Sequence, residues 1–240
     1  MQETNSTGNR FQITPLSDRS VLVSFGNIID ASINEKVFSL HQLLLQNPFD
    51  GFIESVPAYA SLAVFFDTLK IKKLTGITAF VFVKKFLIQL LYQAHSLKVT
   101  EYPVKKIPVC YDPEFAVDII DVAQLHGLSI PEVISLHTSV IYRVYMIGFT
   151  PGFAYMGTLV QELITPRKEQ PRLIVPAGSV GIAGAQTGIY PIESPGGWQI
   201  IGKTPLQLFN AKNTSPCLLA AGDRIQFFPI DKNNFANHGD

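Results

Sequence analysis

The sequence has little of what marks several broad classes of protein. Two cysteines, Cys110 and Cys217, are all that 240 residues contain. Each lies among strand-like apolar residues, so two reduced core thiols are expected rather than a disulfide. No Cys or His pair has metal-ligand spacing, and no metal site is expected. Charged residues make up only 16%, with 19 Lys and Arg balanced by 19 Asp and Glu. A neutral chain without a basic run argues against nucleic acid as the main partner and against electrostatic attachment to a membrane. No apolar run is long enough to cross a bilayer; the richest, Thr78 to Ala94, is interrupted by Lys84 and Lys85. Met1 to Arg10 is polar and lacks an apolar signal core, so a cytoplasmic globular protein is expected.

Apolar residues make up 47%, enough for a sizeable core and a subunit interface besides. Residues 1–102 read as a small α+β domain. Two β-rich pieces flank the Pro-Leu-Ser-Asp turn between Gln12 and Gly26. Ser32 and Glu35 have the spacing of a capping box, and Ile33, Val37, Leu40 and Leu44 then share one helical face. Phe52 to Phe66 returns to strand character, broken at Pro57. Thr78 to His95 reads as a helix, and Thr100 to Val109 as a strand pair.

Residues 103–240 read as a mostly β domain with two helices at its entrance. Asp112-Pro113-Glu114 has the signature of a helix start, with Gly127 as its end. Ser129 and Glu132 form a second capping box, leading a helix to His137. Val140 to Phe149 reads as a strand. From Gly148 onward Gly and Pro recur every few residues between short apolar pieces. That punctuation excludes long helices and suits a closed barrel or a sandwich.

Three stretches carry candidate chemistry. Gly197 to Thr204, GWQIIGKT, fits the phosphate-loop formula G-x-x-x-x-G-K-T. Its interior is strand-like, and Pro205 leaves no room for the helix whose amides would face the anion. The stretch therefore reads as a strand ending in a turn, in which Lys203 can still contact an anion. Pro176 to Tyr190 is rich in glycine. Its exposed N–H groups would suit an oxyanion, with Gln186, Thr187 and Tyr190 beside them, or its glycines turn corners in a barrel. Gly148 to Gly157, GFTPGFAYMG, places aromatics between turn residues, as the wall of a pocket or the edge of a core. His137, Arg167 and Arg172 are the polar partners, the arginines suited to carboxylate or phosphate. Trp198 can pack over a ligand or in the core.

The strings GFTPGFAYMG, PRLIVPAGSVGIAGAQTGIYPIESPGGWQIIGKTPLQLF and GDRIQFFPI, with SDRSVLVSFG and VPAYASLAVFFD nearer the start, resemble the KipI family. That family is also called allophanate hydrolase subunit 1, or the B-type subunit of 5-oxoprolinase (PxpB). The resemblance runs from about Ile13 to Ile230 and weakens between Thr68 and Lys98. The family commonly reads PGFPYLG where Ala154 and Met156 stand here. It implies a cyclophilin-like β-barrel after the α+β domain, and a heteromeric bacterial complex with a KipA-like subunit (PxpC) and a LamB/YcsF-like subunit (PxpA). That complex opens 5-oxoproline to L-glutamate with ATP and Mg, and this chain alone would be inactive. ATP would phosphorylate the lactam oxygen before water attacks. In that setting Gln186 and Tyr190 would serve the oxyanion, Arg172, Arg167 and Lys203 the phosphate or carboxylate, and His137 a proton. Gly184, Thr187 and Trp198 would complete the binding surface. Two alternatives remain open: a urea- or allophanate-type carboxyltransferase subunit, with biotin arriving on a partner, and a histidine kinase inhibitor of the KipI type.

Overall fold

Alternating hydrophobicity in the first hundred residues builds an antiparallel sheet with one buried face. The structure, a computed structural model, describes residues 3–4, 10–94 and 103–238. Chain contacts divide it into two units, residues 1–101 and 102–240.

In the first unit, strands β1 (Glu3–Thr4), β2 (Arg10–Ser17), β3 (Ser20–Ser24), β4 (Phe52–Pro57) and β5 (Ser61–Phe66) form one sheet in the order β1-β2-β3-β5-β4. Val21 and Val23 on β3, with Leu62, Val64 and Phe66 on β5, point to one face, as the two-residue period requires. Helices α1 (Ala31–Gln46), α2 (Thr68–Thr75) and α3 (Ala79–Ala94) cover that face. The cap of α1 differs from the expected Ser32 box. Asp30 is the cap, accepting from the Ile33 amide at 2.9 Å, and Ser32 lies inside the helix, donating to Asp30 at 2.6 Å. A carboxylate two residues earlier outcompetes the hydroxyl for the free amides of the first turn. The short helix α2 has no counterpart in the sequence reading, although Asp67 caps its start and Gly76, at φ 75°, ends it.

The second unit opens with β6 (Val104–Cys110), a single strand in place of the pair expected around Thr100 to Val109; residues 100–102 lie outside the described residues. Then come α4 (Ile119–His126), α5 (Ile130–Ser139), β7 (Tyr142–Ile147), β8 (Ala154–Gly157), β9 (Arg172–Val175), β10 (Ser179–Ala183), β11 (Gln186–Ile189), β12 (Ser194–Gly196), β13 (Gln199–Lys203) and β14 (Arg224–Ile230). Seven strands close into a barrel in the order β10-β11-β8-β7-β14-β6-β13, with β6 and β14 parallel. β9 and β12 pair with each other as a separate two-stranded ribbon. Val109, Val144, Met156, Val180, Ile182, Ile201 and Phe227 fill the barrel, and Ile119, Val122 and Val133 of the helices pack against them. Each such buried side chain contributes about 1.5–3 kcal/mol relative to exposure.

Helix α4 begins later than Asp112-Pro113-Glu114 suggests. Asp112 accepts from Phe115 and Ala116 in one isolated turn, and the helix starts after Asp118. Gly127, at φ 65°, ends it as expected, and the Ser129–Glu132 box caps α5. Cys110 and Cys217 are free thiols. No single helix among the described residues is long and apolar enough to cross a membrane.

Candidate functional site

The barrel wall made by β8, β11, β10 and β13 has two faces. Along β8, Ala154 and Met156 turn into the barrel core, while Phe153 and Tyr155 turn outward. Along β11, Ile189 turns inward, and Tyr190 joins the outer side. The outer face carries its own cluster of Phe153, Val175, Ala183, Tyr190, Trp198 and Ile200, with Tyr155 packed against it. Phe153 is its hub, with ring centroids 4.7 Å from Tyr155, 5.2 Å from Tyr190 and 5.4 Å from Trp198. Phe149 packs edge-on against Phe153 while remaining 63% exposed, at an unusual positive φ of 66°.

The glycines of the block make room for these rings. A Cβ at Gly188 would stand 3.0 Å from both Phe153 and Trp198, and one at Gly196 would stand 2.2 Å from the Tyr190 hydroxyl. The Tyr190 oxygen accepts the Trp198 amide, and burial raises its pKa against the smaller pull of that bond and of Arg167. Tyr190 therefore keeps its proton at neutral pH and presents an O–H donor.

Three cations lie on the segment leading into the ribbon. Asp118, 1% exposed, accepts from Lys168 at 2.9 Å and Arg172 at 2.5 Å through one oxygen, and from the Ile200 amide at 2.7 Å through the other. Burial raises the Asp118 pKa, but the bonds from Arg172, Lys168 and Ile200 outweigh it and hold the carboxyl below its ordinary value. Lys168 also reaches Gln199 at 3.4 Å, and its amide donates to the Gly197 carbonyl at 2.8 Å. Arg167 is exposed, and its charge acts on the Tyr155 and Tyr190 hydroxyls.

The structure thus gathers Arg167, Arg172, Tyr190 and Trp198 at one outer face. Gln186, two residues before Gly188 and four before Tyr190 along β11, shares their side of the strand. His137 and Thr187 are elsewhere, inside the barrel. The Thr187 hydroxyl donates to the Gly181 carbonyl at 3.1 Å, so it accepts from His137 Nε2–H at 3.0 Å, and His137 Nδ1 accepts from Tyr111 at 2.8 Å. The ring stacks on Phe227, is fully buried, and has its pKa lowered by burial to about 3. With both nitrogens committed to core partners, His137 is placed to hold the wall rather than to shuttle a proton.

Gly184, at φ 55°, turns the β10–β11 hairpin and donates its amide to the Thr165 carbonyl at 2.7 Å. The Gly178 amide is likewise committed, to the Tyr190 carbonyl at 2.7 Å. These amides serve the fold rather than an oxyanion. The phosphate-loop formula falls on β13, a strand. Lys203 ends that strand with its ammonium 5.8 Å from the Phe115 ring, roughly 13 Å along the strand from Gln199 and the Asp118 cluster.

Asp118, Lys168 and Ser194 do not stand out in the sequence. A buried Asp is signalled only by its partners, and those of Asp118 lie 50, 54 and 82 residues away. Among the described residues, no group of three or more His, Cys, Asp and Glu side chains converges as a metal site.

Known proteins are similar to this chain in sequence and fold. The family described as carboxyltransferase domain, subdomain C and D, matches residues 11–219. The 5-oxoprolinase B-type subunit of Bacillus subtilis (strain 168) is 43% identical over 229 residues, covering 94% of this chain and 95% of that protein. The crystal structure of TTHA0988 superposes with a TM-score of 0.75 at 35% identity, covering 89% of this chain; the match spans 40% of that longer chain. The Kluyveromyces lactis urea amidolyase matches with a TM-score of 0.70 at 18% identity, covering 97% of this chain and 15% of that one, a likeness of fold alone.

Proposed function

The chain belongs to the carboxyltransferase subdomain C and D family, which includes the B-type subunits of 5-oxoprolinase, and on that premise we propose that it is the B-type subunit of an ATP-dependent 5-oxoprolinase complex. The observation that carries this reading is the match to such a subunit over nearly the full length of both chains. The partners are a KipA-like and a LamB/YcsF-like subunit, the reaction opens 5-oxoproline to L-glutamate, and the chain is inactive alone. ATP with Mg belongs to the complex, since the G-x-x-x-x-G-K-T stretch is a barrel strand and does not fit a phosphate cradle.

Within the complex the outer aromatic face supplies orientation and charge. Tyr155, half-buried, offers an apolar edge to a small ring, backed from beneath by the buried Phe153 and Trp198. Tyr190 and Gln186 donate toward the amide oxygen as negative charge develops on it. Arg172 and Arg167 attract the anionic group of the substrate. His137 and Thr187 keep β11 in register from the inside. The cyclophilin-like character of the barrel belongs to this same reading.

A second reading is a carboxyltransferase subunit acting on urea or allophanate, with biotin carried by a partner. The family's description and the fold likeness to urea amidolyase favour it. Glutamate release from 5-oxoproline, with and without ATP, by the chain co-purified with both partner subunits separates the two. ATP-dependent release that stops when this chain is omitted supports the first reading. An intact complex that releases no glutamate, but acts on urea in a biotin-dependent way, replaces it with the second.

A further inference from the structure

Three buried side-chain polar atoms are without a hydrogen-bond partner among the described residues: Thr150 Oγ1, Arg172 Nη1 and Ser194 Oγ. All three lie around the outer aromatic cluster. Thr150 is on the loop that sets Phe149 against Phe153. Arg172 and Ser194 are on the two strands of the β9–β12 ribbon. Ser194 pairs with Val175, which is buried in the aromatic cluster, and Arg172 pairs with Gly196, which abuts the Tyr190 hydroxyl. Directly paired residues share a face of a ribbon, and a bulge between these two pairs lets Arg172 and Val175, three residues apart, share it too. Arg172, Val175 and Ser194 therefore all turn toward Tyr190 and Trp198, while Leu173, 86% exposed, and Ile174, 61% exposed, turn away.

Charge is also incomplete there. Within the ion-paired trio, Lys168 and Arg172 bring two positive charges to the single negative charge of Asp118, which leaves one over, while Arg167, Glu169 and Glu193 are exposed to solvent. Asp118 engages Arg172 through Nη2, so Nη1 stays available. A buried donor on a charged group without an acceptor is costly, and a bound anion removes that cost.

The geometry points to a carboxylate-binding subsite between the inner face of the β9–β12 ribbon and the outer barrel wall, in which Arg172 Nη1 and Ser194 Oγ donate to the two oxygens of one monoanionic carboxylate. Two donors and one surplus charge match a carboxylate. A phosphate would bring additional oxygens for which these two donors leave no partner. Both donor atoms are buried in the present conformation, so the ribbon moves outward to admit the ligand and closes on it. The assignment of this carboxylate to 5-oxoproline rests on the function proposed above; the subsite itself does not.

Trp198, the sole tryptophan, lies beside the subsite and reports binding by its emission. The full chain, alone and in the complex, is titrated with 5-oxoproline, with 2-pyrrolidinone (the same ring without the carboxylate), with acetate and with inorganic phosphate. Saturable binding of 5-oxoproline is expected, with 2-pyrrolidinone at least about tenfold weaker, and about tenfold loss of affinity in both Ser194→Ala and Arg172→Lys. The melting temperature of Ser194→Ala is expected to stay unchanged. Equal binding of 2-pyrrolidinone, unchanged affinity in Ser194→Ala, or displacement of 5-oxoproline by lower concentrations of phosphate would each overturn the subsite. A complex that releases glutamate with a KM indifferent to Ser194→Ala sinks the subsite and leaves the function standing. Ser194-dependent binding of acetate by a chain whose complex releases no glutamate does the reverse.

Discussion

Acidification tests the buried histidine directly. His137 is fully buried and neutral, and its pKa falls to about 3 from an ordinary value of 6.5. In the unfolded chain the same ring binds a proton below about pH 6.5. Between these values the unfolded state holds a proton that the folded state does not, so stability is complete above the unfolded value and is lost as pH falls. The slope is about 1.4 kcal/mol per pH unit, and from about pH 7.5 to about pH 5 the loss is about 2 kcal/mol. Trp198 lies in the barrel unit, so its emission during urea unfolding follows that unit. His41, whose pKa is also lowered by burial, adds a contribution of the same sign. Comparison with His137→Gln cancels it: the variant is less stable at both pH values but loses about 2 kcal/mol less on acidification. Direct titration of the wild-type His137 ring by NMR provides the second reading if the variant fails to fold. Equal acid sensitivity in the two proteins, or a ring that titrates near its ordinary pH in the folded state, would refute the reasoning.

Asp118→Asn leaves Lys168 and Arg172 without their shared counter-charge, and a loss of about 3–5 kcal/mol is expected from urea midpoints. Gly196→Ala drives a methyl into the Tyr190 hydroxyl and should cost about 1–3 kcal/mol; the double variant with Tyr190→Phe should recover part of it, a non-additivity that a double-mutant cycle measures. Arg167→Ala removes an exposed charge, so stability should stay within about 0.5 kcal/mol while glutamate release by the assembled complex falls.

Local chemistry is legible in the sequence and distant chemistry is not. The Ser129–Glu132 box, the Gly127 stop and the run of Gly and Pro that signals short strands are read within a few residues, and each is present. Asp112-Pro113-Glu114 misleads because its turn is real but does not propagate into α4. The glycine-rich block is ambiguous because the same residues suit an oxyanion or a tight approach, and the rings of Phe153, Tyr190 and Trp198 occupy the space they leave. Alternation along β11 separates Tyr190 from Thr187, yet which side faces the core depends on strands far away. His137 looks like a free titratable group until Thr187, 50 residues on, closes over it. Ser194 stands out only through what it fails to touch.

The barrel is sealed by its own first and last strands. Val104 lies opposite Arg224 and Cys110 opposite Ile230, with every other strand of the unit between them in the chain. In vectorial synthesis β6 would emerge well before β14, and its edge would stay open until that strand arrived. Closure of so long a loop is slow, and an open apolar edge invites pairing with other chains. The seam therefore makes the final strand the gate for escape from aggregation. Nascent chains stalled before Arg224 are the form that chaperones would be expected to hold.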